Sequence, residues 1–172
     1  MKSVLIFIVT LFISIAGMGQ NSMDPDFATK LRKIIASAAT NFSSLKSSQA
    51  IGTPSGTRFQ SKLNIKDTES STIAIATNKD ENDHYIISIM SSMNKAESQR
   101  LNSFWDTELK STLGPTVVRD CHVVDVDDSI SADQCDFQIF KKDYSVIVSL
   151  IQRPLSGSDL FMLEIRVAKK SI

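Results

Sequence analysis

The chain has 172 residues, and its 19 basic and 19 acidic side chains give a formal net charge of zero at pH 7. A neutral chain without a long basic run lacks the charge pattern of a nucleic-acid-binding protein. Its two histidines and two cysteines also supply few ligands for a zinc site. We therefore predict no nucleic-acid partner and no cofactor.

Residues 1–19 have the layout of a secretory signal peptide. Lys2 supplies positive charge, residues 4–15 are almost entirely apolar, and small residues follow up to Gly19. This pattern predicts cleavage between Gly19 and Gln20. The apolar stretch is shorter than the roughly 20 residues that span a bilayer. We therefore expect an exported protein, periplasmic or extracellular, without stable membrane insertion after cleavage.

Residues 20–172 have the usual size of a single domain, and this domain begins with a predicted helix. The stretch MDPDF is typical of a helix start, because Asp24 can cap free backbone N–H groups and Pro25 fits the first turn. Apolar residues then recur at the helical period, at Phe27, Leu31, Ile34, Ile35, Ala38, Phe42 and Leu45. The stripe predicts a helix over residues 25–47.

A loop and three strands are predicted next. Residues 47–57 contain two glycines and a proline among small polar residues, which is typical of a loop. Strand character follows at 58–65, 72–77 and 84–90, and the polar stretches between these segments are long enough for hairpin turns.

The second helix is predicted between Asn94 and Gly114. Asn94 and Glu97 have the spacing of a capping box, and Gly114 with Pro115 is typical of a helix end. Between these signals an apolar stripe runs through Leu101, Phe104, Trp105, Leu109 and Leu113.

After the second helix the pattern changes to period two, as expected for strands. The predicted strands cover residues 116–126, 135–141, 144–152 and 160–168. In the last of them Leu163 and Ile165 share one face, whereas Glu164 and Arg166 share the other. We expect the second face to be exposed to water.

This order predicts an α+β fold, because consecutive strands joined by short loops pair antiparallel. We expect a sheet of six to seven strands with two helices packed on one face, in the order helix, three strands, helix, four strands. Both halves begin with a helix and continue with strands, although their residues show no repeat.

The segment CHVVDVDDSISADQC contains both cysteines, Cys121 and Cys135. In an oxidising compartment an even cysteine count predicts a disulfide. Pairing the two residues sets the register of a hairpin, with Arg119 opposite Phe137 and the turn at the acidic residues 127–129. A bonded Cys121 has no thiolate to act as a nucleophile.

A calcium loop is a weaker alternative for the same segment. The spacing of an EF-hand is matched by Asp125, Asp127, Ser129, Ser131, Asp133 and Asp136. However, Ile130 stands where that loop needs a glycine, and the flanking segments are predicted strands rather than helices. We therefore predict no EF-hand and keep the four aspartates only as a candidate for weak calcium binding.

The stretch FATKLRKIIASAATNFSSLKS, followed by a polar loop, strands and a second helix, resembles small exported proteins of Gram-negative bacteria. In that group the N-terminal helix has the spacing F-x-x-x-L-x-x-I-I, found here from Phe27 to Ile35. Ser47 stands where the group has a glycine. The group has no agreed activity, so the resemblance implies a periplasmic or outer-surface location.

The leading functional hypothesis is a non-enzymatic binding domain with an unknown protein or small-molecule partner. It would act through a sheet face, a groove between helix and sheet, or a strand edge, and we predict no catalytic residues. One alternative is a small hydrolase whose acid–base pair is assembled only in the fold. Another is a small-molecule or lipid carrier, which needs an apolar pocket of roughly several hundred Å³ under the helices. The sequence leaves the oligomeric state open.

Overall fold

A computed structural model describes residues 24–53, 56–76, 82–127 and 130–171. The predicted signal peptide and its cleavage site lie outside these residues. In chain order the elements are α1 (Phe27–Ser37), β1 (Lys46–Thr53), β2 (Gly56–Ser61), β3 (Ser70–Ala74), β4 (His84–Met93), α2 (Lys95–Leu113), β5 (Val118–Asp127), β6 (Ile130–Phe140), β7 (Tyr144–Pro154) and β8 (Phe161–Ser171). No helix in the described ranges is both long and apolar enough to cross a membrane.

The fold is α+β, and its strands form one antiparallel sheet in the order β1-β2-β3-β4-β8-β7-β6-β5. Each half of the chain is a helix followed by a meander of four strands. The two meanders join in the middle of the sheet, where β4 pairs with β8. The halves therefore share one topology.

The sheet has eight strands, so the predicted count of six to seven and the predicted loop at 47–57 are wrong. Residues 46–53 form β1, which pairs with β2 at one edge of the sheet. The strand was missed because its central residues are exposed, including Ala50 and Ile51. A strand with water on both faces shows no alternation between apolar and polar residues.

The first helix is also shorter than predicted. α1 ends at Ser37, and two short 3-10 turns follow at Ala38–Thr40 and Ser43–Leu45. Asn41 and Phe42 lie between the turns with φ angles of 48° and 57°, a left-handed conformation that an α-helix cannot contain. Phe42 is nevertheless fully buried, which explains why the apolar stripe continues beyond the helix.

The start of α1 is fixed by the buried carboxylate of Asp24. It accepts hydrogen bonds from Lys30 Nζ at 2.5 Å, from the backbone N–H of Lys66 at 2.8 Å and from that of Asp26 at 2.9 Å. The Lys30 and Lys66 donors lower the pKa of Asp24 from 3.8 to about 2. This side chain therefore ties the helix start to the connection between β2 and β3.

Asp24→Asn is expected to lower the free energy of unfolding at pH 7 by about 1–2 kcal/mol, because hydrogen bonds to a charged acceptor are lost. The folded pKa lies below the unfolded one, so the contribution is complete above about pH 4 and is lost as the pH falls toward 2. The free energy of unfolding, measured in urea between pH 7 and 2, should therefore fall less steeply on acidification for the variant than for the wild type. Asp26→Asn, which removes an exposed carboxylate, is the control. The prediction would be contradicted if the free energy of unfolding fell equally with pH for the wild type and for Asp24→Asn.

The predicted boundaries of α2 are confirmed. The Asn94 side chain accepts a hydrogen bond from the backbone N–H of Glu97 at 2.9 Å, and Gly114 ends the helix with a φ of 82°. Both helices pack into one core, which lies on a single face of the sheet. Phe27 of α1 meets Trp105 of α2 edge to face, with ring centroids 5.0 Å apart.

Candidate functional site

The predicted cysteine hairpin is formed by β5 and β6. Cys121 lies opposite Cys135 and Arg119 lies opposite Phe137, as predicted. The two sulfur atoms are 2.08 Å apart, which is the distance of a disulfide bond. β5 is an edge strand, and the covalent link holds it to β6.

Arg119 connects this hairpin to α2. Its Nε donates to Asp106 Oδ1 at 2.9 Å, and its guanidinium lies 6.0 Å from the centre of the Phe137 ring. A second cation, Lys110, contacts the other oxygen of Asp106 at 2.5 Å. The hairpin is therefore held by a covalent bond across its strands and by a charged contact with the helix.

The aspartates proposed for weak calcium binding do not converge in the described part of the chain. Asp125 accepts a hydrogen bond from Ser131 at 3.0 Å, and Asp136 accepts one from Gln134 at 2.8 Å. Asp133 lies three residues from Asp136 on a strand, so the two point to opposite faces. The described residues contain no group of three or more potential metal ligands among His, Cys, Asp and Glu. The side chain of Asp127 and residues 128–129, where most of the predicted turn falls, lie outside the described residues.

The helix-free face of the sheet is less exposed than predicted. Ile86, Ile151 and Glu164 lie on this face, and each is at most 5% exposed. The two described helices pack on the other face of the sheet, so we attribute this shielding to the sheet itself. A strongly twisted sheet coils, and this coiling brings its diagonal corners toward each other.

A cavity of about 350 Å³ lies where two such corners meet. We call it the corner cavity, and its walls include Arg58, Ala74, His84, Val126, Arg153 and Arg166. Val126 comes from β5 and Arg58 from β2, although five strands separate these two in the sheet. The corner cavity is therefore built from both halves of the chain.

Two arginines of the corner cavity have no counter-ion among the described residues. Within the described ranges neither Arg58 nor Arg153 has an ion-pair partner. The Nε N–H of Arg153 is buried and also lacks a hydrogen-bond acceptor among these residues. A buried donor without an acceptor costs about 1–3 kcal/mol, so such donors are uncommon in folded proteins. This N–H is therefore available to a ligand.

The third arginine, Arg166, is paired. Its Nε and Nη2 atoms approach Oε1 of the buried Glu164 at 2.6 and 2.5 Å. Asp83 contacts the cavity wall, because its Oδ1 accepts a hydrogen bond from the N–H of Ala76 at 3.0 Å. Its other oxygen forms an ion pair with Lys46 at 2.5 Å. Both of these carboxylates therefore already have a cation, and neither neutralises Arg58 or Arg153.

Arg166→Leu is expected to lower the free energy of unfolding by about 1–2 kcal/mol, because it leaves the carboxylate of Glu164 buried without a cation. The effect should be below the roughly 3–5 kcal/mol of a fully buried pair, since the Arg166 side chain is 40% exposed. Urea unfolding measures the change. The double variant Glu164→Gln/Arg166→Leu should recover part of the loss, and a double variant less stable than Arg166→Leu would contradict this account.

A second pocket lies between the helices and the sheet. A cleft of about 260 Å³ runs between the two helices and β6, with apolar walls from Ile35, Leu113 and Ile139 and a charged rim of Arg32 and Lys141. It contains no unpaired buried donor among the described residues. The corner cavity is therefore the stronger candidate site.

The two histidines lie apart in the sheet. His84 is on β4 and lines the corner cavity, whereas His122 is on β5, with β8, β7 and β6 between the two strands. His122 Nδ1 lies 3.7 Å from Asp120 Oδ2 at the exposed edge. Burial raises the pKa of Tyr85, but this residue lies in the core and its hydroxyl donates to the carbonyl of Leu63 at 2.6 Å. The described residues thus supply no histidine pair.

Sequence reasoning missed the arginines of the corner cavity. Arg58, Arg153 and Arg166 lie on three different strands, and their chain spacing carries no motif. The only hint in the sequence was that Arg166 alternates with apolar residues in β8. This pattern is also expected for a strand with one face in water, so it does not identify a binding site. Comparisons with protein-family models, with curated proteins and with solved structures gave no match to this chain.

Proposed function

We propose that this chain is an exported binding domain that holds a small ligand in the corner cavity. The observation that carries the proposal is the pair of arginines, Arg58 and Arg153, that face the cavity without counter-ions among the described residues. A cavity of about 350 Å³ also falls within the usual range for small-ligand sites, roughly 300–1,000 Å³.

The two arginines without counter-ions among the described residues favour binding over proton-transfer catalysis, although His84, a group that can act as acid or base, lines the same cavity. A guanidinium stays protonated at any physiological pH, so it can orient and neutralise a ligand but cannot act as a base. Ala74 and Val126 add apolar surface beside the arginines, next to the almost fully buried Ile86. The exposed walls of the cavity are thus mostly polar, with a smaller apolar part beside the arginines.

Export is supported by two independent features. The first 19 residues have the layout of a signal peptide. The sulfur atoms of Cys121 and Cys135 lie at bonding distance, and such bonds persist mainly in oxidising compartments. A periplasmic or extracellular binding domain is consistent with both.

The proposal is tested by NMR on residues 20–172 labelled with ¹⁵N and produced in an oxidising compartment. A library of small acids, amines, sugars and neutral amides is titrated while backbone amide shifts are followed. We expect shifts concentrated at Arg58, Ala74 and Arg153, and we expect Ala74→Phe, which fills the cavity, to abolish them.

The matched control is Ala96→Phe, which adds the same ring at an exposed position of α2. It should leave binding unchanged. Ligand-induced shifts that cluster away from the corner cavity, or that survive in Ala74→Phe, would overturn the proposal. So would a library in which no compound shifts any cavity residue.

A further inference from the structure

We infer that the ligand of the corner cavity is a small organic anion, with a carboxylate or phosphate group bound by Arg58 and Arg153. This inference rests on the proposed function and adds the chemical class of the ligand. The argument uses the charge balance around the cavity, the donors available in it and the apolar wall beside them.

The charge balance favours an anion. Two carboxylates that contact wall residues, Glu164 beside Arg166 and Asp83 beside Ala76, are each engaged by another cation. The charges of Arg58 and Arg153 are therefore not cancelled from within the described chain. Two uncompensated cations at a cavity with low-dielectric walls create a positive potential that concentrates anions.

The hairpin end does not supply the compensating charge through Asp125. Val126 lines the cavity, whereas its chain neighbour Asp125 accepts a hydrogen bond from Ser131 and forms no ion pair with Arg58 or Arg153. The described part of this hairpin thus presents an apolar side chain to the arginines.

The donors suit an oxyanion. A guanidinium offers several N–H groups in one plane, a geometry that matches the two oxygens of a carboxylate or phosphate. The partnerless Nε N–H of Arg153 lies in the wall of the same cavity. Charge-assisted hydrogen bonds of this kind are roughly twice as strong as neutral ones.

The remaining walls favour an organic rather than an inorganic anion. Ala74 and Val126 offer apolar surface within the same cavity, next to the almost fully buried Ile86. Contact with these side chains would remove the carbon skeleton of a ligand from water. An anion without such a skeleton would use only the arginine end of the site.

The test uses probes with the same carbon chain and different head groups: butyrate, butyl phosphate, butyramide and butylamine. Each is titrated into ¹⁵N-labelled residues 20–172, with inorganic phosphate as the anion without a chain. We expect one or both organic anions to shift the cavity amides and to bind at least about ten-fold tighter than butyramide. Butylamine should cause no shift, and inorganic phosphate should bind more weakly than butyl phosphate. The two organic anions separate a carboxylate ligand from a phosphate ligand.

The matching variants are Arg58→Gln and Arg153→Gln. Each should weaken binding of the preferred anion at least about ten-fold. Neither should lower the melting temperature, because neither arginine has an ion-pair partner to lose among the described residues. Arg100→Gln, at an exposed position of α2, should change neither property.

The outcomes separate the inference from the proposed function. Butyramide binding in the cavity as tightly as the anions, with no effect of the arginine variants, would overturn the inference and leave the binding function standing. Organic anions that bind no tighter than inorganic phosphate would overturn the organic part of the inference. If neither these probes nor any library compound shifts a cavity residue, both fall together.

Discussion

Replacing Phe27 with alanine is expected to lower the free energy of unfolding by about 3–5 kcal/mol, the usual cost of removing a buried aromatic ring. Phe27 has no exposed surface, and its ring meets Trp105 edge to face at 5.0 Å. The substitution therefore leaves a cavity between the two helices and also removes an aromatic contact worth about 0.5–1.5 kcal/mol.

Fluorescence-monitored urea unfolding measures this effect well, because Trp105 is the one tryptophan in the chain. Its emission reports directly on the contact that the substitution removes. Phe140→Ala is the control, since Phe140 is 59% exposed and the chemical change is the same. It should cost less than about 1 kcal/mol, because little surface is transferred from water. Similar losses for the two variants would contradict the view that Phe27 joins the helices.

Removing the disulfide with Cys121→Ala/Cys135→Ala is expected to cost about 3 kcal/mol. The bond closes a segment with a sequence separation of 14, and the chain-entropy model assigns about 3 kcal/mol to a loop of about 15 residues. The hairpin also carries Val126 into the wall of the corner cavity. We therefore expect weaker binding of the preferred anion as well as lower stability.

Urea unfolding of the wild type with and without dithiothreitol provides the control for this prediction. Reduction should bring the wild type close to the double variant and should leave the double variant unchanged. Anion binding measured on the reduced wild type should weaken in parallel. A reduced wild type that is as stable as the oxidised form would show that β5 and β6 are held by packing and by Arg119 alone.

The elements that could be predicted from the sequence are those specified by local chemistry. α2 has a side-chain cap at Asn94 and a glycine end at Gly114, both of which act within a few residues of the boundary. The register of β5 and β6 from Val118 to Asp125 follows from one covalent link between Cys121 and Cys135, and it shifts by one residue only between Asp125 and Asp127. In both cases a short-range rule determines the structure.

The elements that were missed depend on distant parts of the chain. β1 lies at a sheet edge with its centre exposed, so it has no apolar face for a pattern to reveal. α1 ends early because Asn41 and Phe42 adopt left-handed backbone angles while Phe42 packs against Tyr85, with ring centroids 5.8 Å apart. The corner cavity arises from the coiling of the whole sheet, which sequence spacing does not encode.

The pairing of β4 with β8 bears on the order in which the protein folds. Six of the seven strand pairings join strands that are neighbours in the chain, whereas this one brings His84 to Ala168. Closing so long a loop costs more conformational entropy than closing a hairpin, and nonlocal pairings of this kind slow folding. We therefore expect each meander to organise early from local contacts, and we expect docking of the two halves to limit the overall rate and to complete the corner cavity last.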